Sequence, residues 1–136
     1  MRVAVGSDDR CLLVDVVVAR LEDAGYEVLE PVPVGDPWPD VGRAVAEAVA
    51  SGEAELGVVA CWTGTGVSIA ANKVAGVRAA LCVDAESARG ARRWNDANVL
   101  ALSQRLTTPS VGEEILDAFL GAAPDEDERS NFERLG

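Results

Sequence analysis

Cys61, Thr63, Thr65 and Ser68 fall within eight residues and are interleaved with Gly64 and Gly66. A thiol and three hydroxyls spread through a glycine-rich run can move protons and hold oxygen atoms. Glycines let the backbone approach a ligand, and a helix that follows presents free N–H groups to negative charge. A cysteine in that setting favours its thiolate, the form that acts as a base or nucleophile. The same run also fits a structural cysteine beside an ordinary tight turn. Three known loop patterns do not fit it. A Walker loop needs Gly-Lys-Ser/Thr, and the first lysine is Lys73. A phosphatase loop needs an arginine six places after the cysteine, where Val67 stands. A dinucleotide fingerprint belongs after the first strand, where the chain reads Gly6-Ser7-Asp8.

Asp8 and Asp9 form an acidic pair where a first strand ends. A phosphoryl receiver would need a further aspartate near Cys61, and none is there. The plainer reading has Asp8 bonding to loop backbone and Asp9 capping the next helix. Arg89, Arg92 and Arg93 fit a solvated helix face, Trp94 a packing residue and Asn95 a cap. Trp38 reads as packing in a proline-rich loop, and Cys11 and Cys82 as small core or helix-face residues.

The chain has no histidine, which excludes Ser-His-Asp and Cys-His catalysis and imidazole metal ligands. Three cysteines without paired spacing suggest neither disulfides nor a zinc site, so no metal and no cofactor are expected. A net charge of −11 would repel a nucleic-acid backbone and an anionic membrane. No apolar run reaches the ~18 residues of a membrane span. Met1–Asp9 leads straight into a strand pattern without a signal-peptide profile, so the cytoplasm is the expected location.

The elements that must position these residues follow from the hydrophobic pattern. Strands are expected at Arg2–Val5, Tyr26–Leu29, Glu55–Ala60, Val77–Val83 and Asn98–Leu102. Helices are expected at 12–24, from a cap at Asp40 to Ala50, at 68–73, from a cap at Asp84 to about Arg93, and at 110–120. The chain of 136 residues thus reads as one α/β domain, residues 1–136, with 122–136 as a tail or short helix. Alternating strands and helices imply a Rossmann-like three-layer sandwich on a five-stranded parallel sheet. Ligands in such folds sit beyond the C-terminal strand ends, which singles out Ser7–Asp9, Cys61–Ser68, Asp84, Gln104 and Arg105.

The run Cys61–Lys73 closely resembles the signature loop of the ribose-5-phosphate isomerase B and galactose-6-phosphate isomerase family. The resemblance extends to Gly6–Asp8, Gly76–Cys82 and Asn95–Arg105, nearly the whole chain in order. It implies a Rossmann-like fold, a homodimer with active sites at the subunit interface, and metal-free exchange of aldose and ketose phosphates. Pairing of dimers into tetramers stays open. By resemblance, Cys61 is the catalytic base and Thr63 assists proton transfer at the oxygens or in ring opening. Gly64, Gly66, Ser68 and Asn95 surround the enediolate oxyanion. Asp8 contacts a substrate hydroxyl, and Arg105 and Arg129 lie on the phosphate side.

Three departures from the family pattern concern substrate capture. Asp9 stands where the family has a phosphate-contacting histidine, and Trp94 where it has the ring-opening histidine. The family's C-terminal arginines are four apart, whereas Arg134 is five from Arg129. Two expectations follow. The first is an isomerase of a different sugar or sugar phosphate, with Trp94 shaping the pocket and Asp9 contacting a hydroxyl or amine. The alternative is a descendant that binds a metabolite without turning it over.

Overall fold

The computed structural model describes residues 1–136. Five strands form one all-parallel sheet: β1 (Arg2–Ser7), β2 (Glu27–Leu29), β3 (Leu56–Cys61), β4 (Ala79–Leu81) and β5 (Val99–Ser103). Their order is β2-β1-β3-β5-β4. The principal helices are α1 (Leu12–Asp23), α2 (Trp38–Ala50), α3 (Thr65–Asn72), α4 (Ala85–Asn95) and α5 (Pro109–Gly121). A last helix, α6 (Arg129–Phe132), lies between two 3-10 turns, Glu126–Glu128 and Glu133–Leu135. This is the Rossmann-like sandwich expected from the alternation of patterns.

Alternation along each strand divides the core into two layers. Val3, Val5, Val58, Leu100 and Leu102 pack with Leu13, Leu21, Ile115 and Phe119 on the face covered by α1, α4 and α5. Ala4, Val59, Cys61 and Ala101 pack with Val41, Val45 and Val67 on the face covered by α2 and α3. Cys61 therefore belongs to the α2–α3 face. Small and β-branched side chains fill the α2–α3 layer, whereas leucines dominate the other; Phe119 is the one aromatic that is fully buried. All three tryptophans are exposed instead: Trp38 at 45%, Trp62 at 60% and Trp94 at 49%.

Several element ends differ from the sequence reading for local reasons. Helix α2 starts at Trp38, two residues before Asp40, because Pro37 and Pro39 preset the helical entry. Helix α3 starts at Thr65, since Gly64 turns the chain with φ of 77°. Helix α4 runs on to Asn95 and stops where Asp96 turns left-handed. Strand β4 shrinks to Ala79–Leu81, the residues that pair with β5 at the sheet edge. The cap of α1 is Cys11, which makes no side-chain bond, so Asp9 is not the cap. Asp84 does cap α4: its carboxylate accepts from the Ser87 N–H at 2.7 Å, which holds the acid below its ordinary range.

Candidate active site

Strand β3 carries Cys61 to its C-terminal end, and the next three residues reverse the chain into α3. Gly64 is the pivot. Its φ of 77° suits glycine, and a Cβ there would come within 2.6 Å of Leu81 Cδ1 and 2.9 Å of the Leu102 backbone. No side chain caps α3, so the N–H groups of its first turn remain free to face a ligand. Thr63 and Thr65 share a hydrogen bond between hydroxyls at 2.7 Å. Ser68 lies half-buried one turn further along.

Around Cys61 is an open cavity of about 250 Å³, lined by Asp8, Trp38, Trp62, Thr63, Thr65 and Gly66. Trp38, expected to pack in a loop, stands at the head of α2 and walls this cavity. Its ring lies on the Gly66 α-carbon, where a Cβ would come 2.8 Å from Cε3. A tryptophan bracketed by prolines at a helix start is the sequence signal that could have marked it.

Asp8 is held in place from β5. Gln104 Nε2 donates to Asp8 Oδ1 at 3.2 Å and to Ser7 Oγ at 3.0 Å. Ser7 Oγ in turn donates to the Asp9 carbonyl at 2.6 Å. Asp9 itself is exposed and lines a neighbouring cavity of about 290 Å³ with Gln104 and Trp62. Arg105 follows directly; its backbone N–H donates to the Trp62 carbonyl at 2.9 Å. Its guanidinium enters no ion pair among the eight formed in the chain.

The remaining expected residues sit elsewhere. Asn95 ends α4 beside the N-terminal end of β5 and lines a separate cavity with Asn72, Arg78 and Leu135. Trp94 precedes it, its ring against Gly90 one helical turn back. Arg78 fixes the turn that follows: its Nε donates to the Asp96 carbonyl at 2.7 Å and its Nη2 to Asp96 Oδ2 at 3.2 Å. Asp96 is the one non-glycine residue with positive φ, at 48°. Arg129 is bound on both sides, by Glu126 at 2.7 Å and Glu133 at 3.0 Å. Arg134, next to Leu135, has no ion-pair partner. One chain thus brings Asp8, Cys61, Thr63, Gly64, Gly66 and Ser68 to one end of the sheet, with Asp9 and Arg105 adjoining. Asn95 and its surroundings lie at the other end.

A model of the ribose/galactose isomerase family matches residues 3–135. The chain belongs to that family. It is 52% identical over 85 residues to galactose-6-phosphate isomerase subunit LacB of Clostridium acetobutylicum. That match covers 62% of this chain and 49% of the relative, about half the relative's length. Ribose-5-phosphate isomerase B of Escherichia coli is 40% identical over 125 residues, covering 89% of this chain and 84% of that protein. The ribose-5-phosphate isomerase B structure from Clostridium thermocellum superposes with a TM-score of 0.94 at 38% identity. It covers 100% of this chain and 95% of that one. Family membership places the chain among the isomerases of sugar phosphates. No helix is long and apolar enough to cross a membrane.

Proposed function

We propose that the chain interconverts an aldose and a ketose, as sugar or sugar phosphate, through an enediolate with Cys61 as the base. The thiolate removes the proton from C2 of the aldose, and negative charge gathers on the carbonyl oxygen. A proton passes from the C2 hydroxyl to the C1 oxygen, relayed by Thr63. The Cys61 thiol then returns its proton to C1, giving the ketose with no net change in atoms or electrons and no metal in the step. Asp8 binds a substrate hydroxyl.

The observation that carries this reading is the position of Cys61. It ends a central strand, lines the cavity, and is followed by a glycine turn into the uncapped N-terminus of α3. Fixed N–H donors at such a place stabilise an oxyanion without reorganising, each worth about 2.7–4 kcal/mol of barrier. Gly64 and Gly66 keep that backbone bare, and Ser68 adds a hydroxyl.

The site is completed in a homodimer, where Asn95 of the partner subunit, with Trp94 and Arg134 of the partner subunit, closes the cavity over Cys61. Arg105 and Arg134 take the phosphate. Arg129, held by two glutamates, acts through the tail's conformation. Asp9 and Trp94, in place of two family histidines, direct the site to a substrate other than ribose 5-phosphate.

The test is solvent deuterium incorporation at C1 and C2, followed by NMR, over four- to six-carbon aldoses and ketoses with and without phosphate. Exchange that vanishes in Cys61→Ala is expected. Exchange that survives in Cys61→Ala overturns the assignment of the base. Silence across the panel from a folded dimer favours the metabolite-binding alternative.

A further inference from the structure

Trp62 is a large apolar residue left 60% exposed directly beside the proposed base. Its backbone is not free: the carbonyl accepts from the Arg105 N–H at 2.9 Å and from Ser103 Oγ at 3.2 Å. Cys61, the last residue of β3, faces the α2–α3 layer, while Trp62 just beyond the strand also meets residues of α1 and α5. Trp62 accordingly lines two cavities at once. One is the cavity of about 250 Å³ around Cys61. The other, of about 290 Å³, lies on the α1 and α5 side with Asp9, Cys11, Gln104 and Thr107.

The two cavities differ in chemistry. The first holds the thiol, the threonines and the glycine turn, which are the groups that handle C1 and C2. The second mixes polar Asp9, Gln104 and Thr107 with apolar Leu12, Leu13 and Pro109. With Arg105 on the phosphate side and its backbone N–H bonded to the Trp62 carbonyl, a sugar reacting at Cys61 leads its remaining carbons past the Trp62 indole.

We propose that Trp62 is a specificity-determining residue that sets the length of the substrate. The indole bounds the reacting chamber and admits a short carbon chain; each further carbon must climb over the ring or displace it. The inference rests on the isomerase reading for the direction in which the substrate lies, but its ligand-length effect is measured without turnover. Removing the indole makes the two cavities continuous and accommodates a longer chain. A methylene in a closed hydrophobic pocket changes discrimination by about 10- to 200-fold, and the low end of that range is expected for the two further CHOH units in this open cavity.

The experiment uses alditol phosphates of four, five and six carbons, which lack a carbonyl and cannot react. Their dissociation constants are measured by calorimetry for the unaltered dimer, Trp62→Ala and Trp62→Phe. Circular dichroism and sedimentation confirm fold and assembly. The expected result is that the six-carbon compound binds the unaltered protein at least about tenfold more weakly than the four-carbon one. Trp62→Ala erases that ratio, and Trp62→Phe retains most of it. An unchanged ratio in Trp62→Ala, even with all affinities reduced, overturns the proposal. So does a variant that only dissociates the dimer, and so does failure of all three compounds to bind the unaltered protein. Deuterium exchange on the matching aldose phosphates runs alongside. A length effect in binding with no exchange would sink the isomerase reading and leave the role of Trp62 standing.

Discussion

Cys61 and Asn95 stand at opposite ends of the same parallel sheet. Cys61 is level with Ser103, the last residue of β5, while Asn95 precedes the first, Val99. Four residue steps of strand separate those ends, roughly 13 Å at the rise of a parallel strand. Helix α4 and its left-handed terminus at Asp96 keep Asn95 at the end of the sheet away from Cys61. No side-chain rotation brings the two together within one chain, so the shared site proposed above needs a second chain.

Complementation tests this directly. Cys61→Ala and Asn95→Ala homodimers are each expected to lack activity. Mixed after dissociation and reassembly, they form hybrids in which one site carries both intact residues. Statistical pairing restores about a quarter of the unaltered activity. Recovery near zero, with hybrids verified by mass spectrometry, would show that each site is built from a single chain.

Gly64→Ala tests the turn behind the oxyanion donors. The position has φ of 77°, and the added carbon would meet Leu81 Cδ1 at 2.6 Å. Left-handed strain for a non-glycine residue costs about 1–3 kcal/mol. The contact with the Leu102 backbone cannot relax by rotating a side chain. A fall in unfolding free energy of at least that size is expected, with kcat reduced more than KM is raised, because the donors shift. Equal loss from Gly66→Ala would come instead through displacement of the Trp38 ring.

The two tail arginines differ in what already holds them. Arg129 is ion-paired to Glu126 and Glu133, and the carboxyl of Glu126 is held below its ordinary range by that partner. Arg134 has no such partner and adjoins Leu135 in the Asn95 cavity. Arg134→Ala is therefore expected to raise KM for a phosphorylated substrate by about tenfold, with no change for the unphosphorylated sugar. Arg129→Ala is expected to change KM by less than about twofold, and stability by at most about 1 kcal/mol, as for exposed pairs. Steady-state kinetics on both substrate forms separates the two.

The strands were legible because β-branched runs alternate with helical spacing. The loop Cys61–Ser68 stood out through its likeness to the family's signature loop, since by spacing alone it also fits a structural cysteine beside a tight turn. Pairing decided what sequence could not: β4 keeps only Ala79–Leu81, the residues in ladder register with Val99–Ala101 of β5. The roles of the tryptophans were hidden as well. Tryptophan commonly packs inward, yet in this chain Trp38 and Trp62 wall the Cys61 cavity. Gln104 carries no motif, and its hold on Asp8 exists only because β1 and β5 both flank β3. That Asn95 lies far from Cys61 is a property of sheet direction, invisible in residue order.

Cys82 offers a pH test of the core that leaves the site untouched. Its thiol is 2% exposed and packs in the layer beneath α4 and α5. Burial, with a smaller push from the Asp84 carboxylate, raises it to about 11. An unfolded thiol titrates near ~8.5. Between those values the unfolded chain has lost the proton while the folded chain keeps it, so stability falls as pH rises. Below that window the two states hold the proton alike and the slope vanishes. Urea unfolding at pH 8 and pH 10.5 is expected to show a loss of about 2 kcal/mol, allowing for partial relaxation of the buried site. Cys82→Ala removes the ionisable group and is expected to flatten this slope, whatever its own effect on stability at pH 8. The same slope in Cys82→Ala would assign the alkaline loss to other groups.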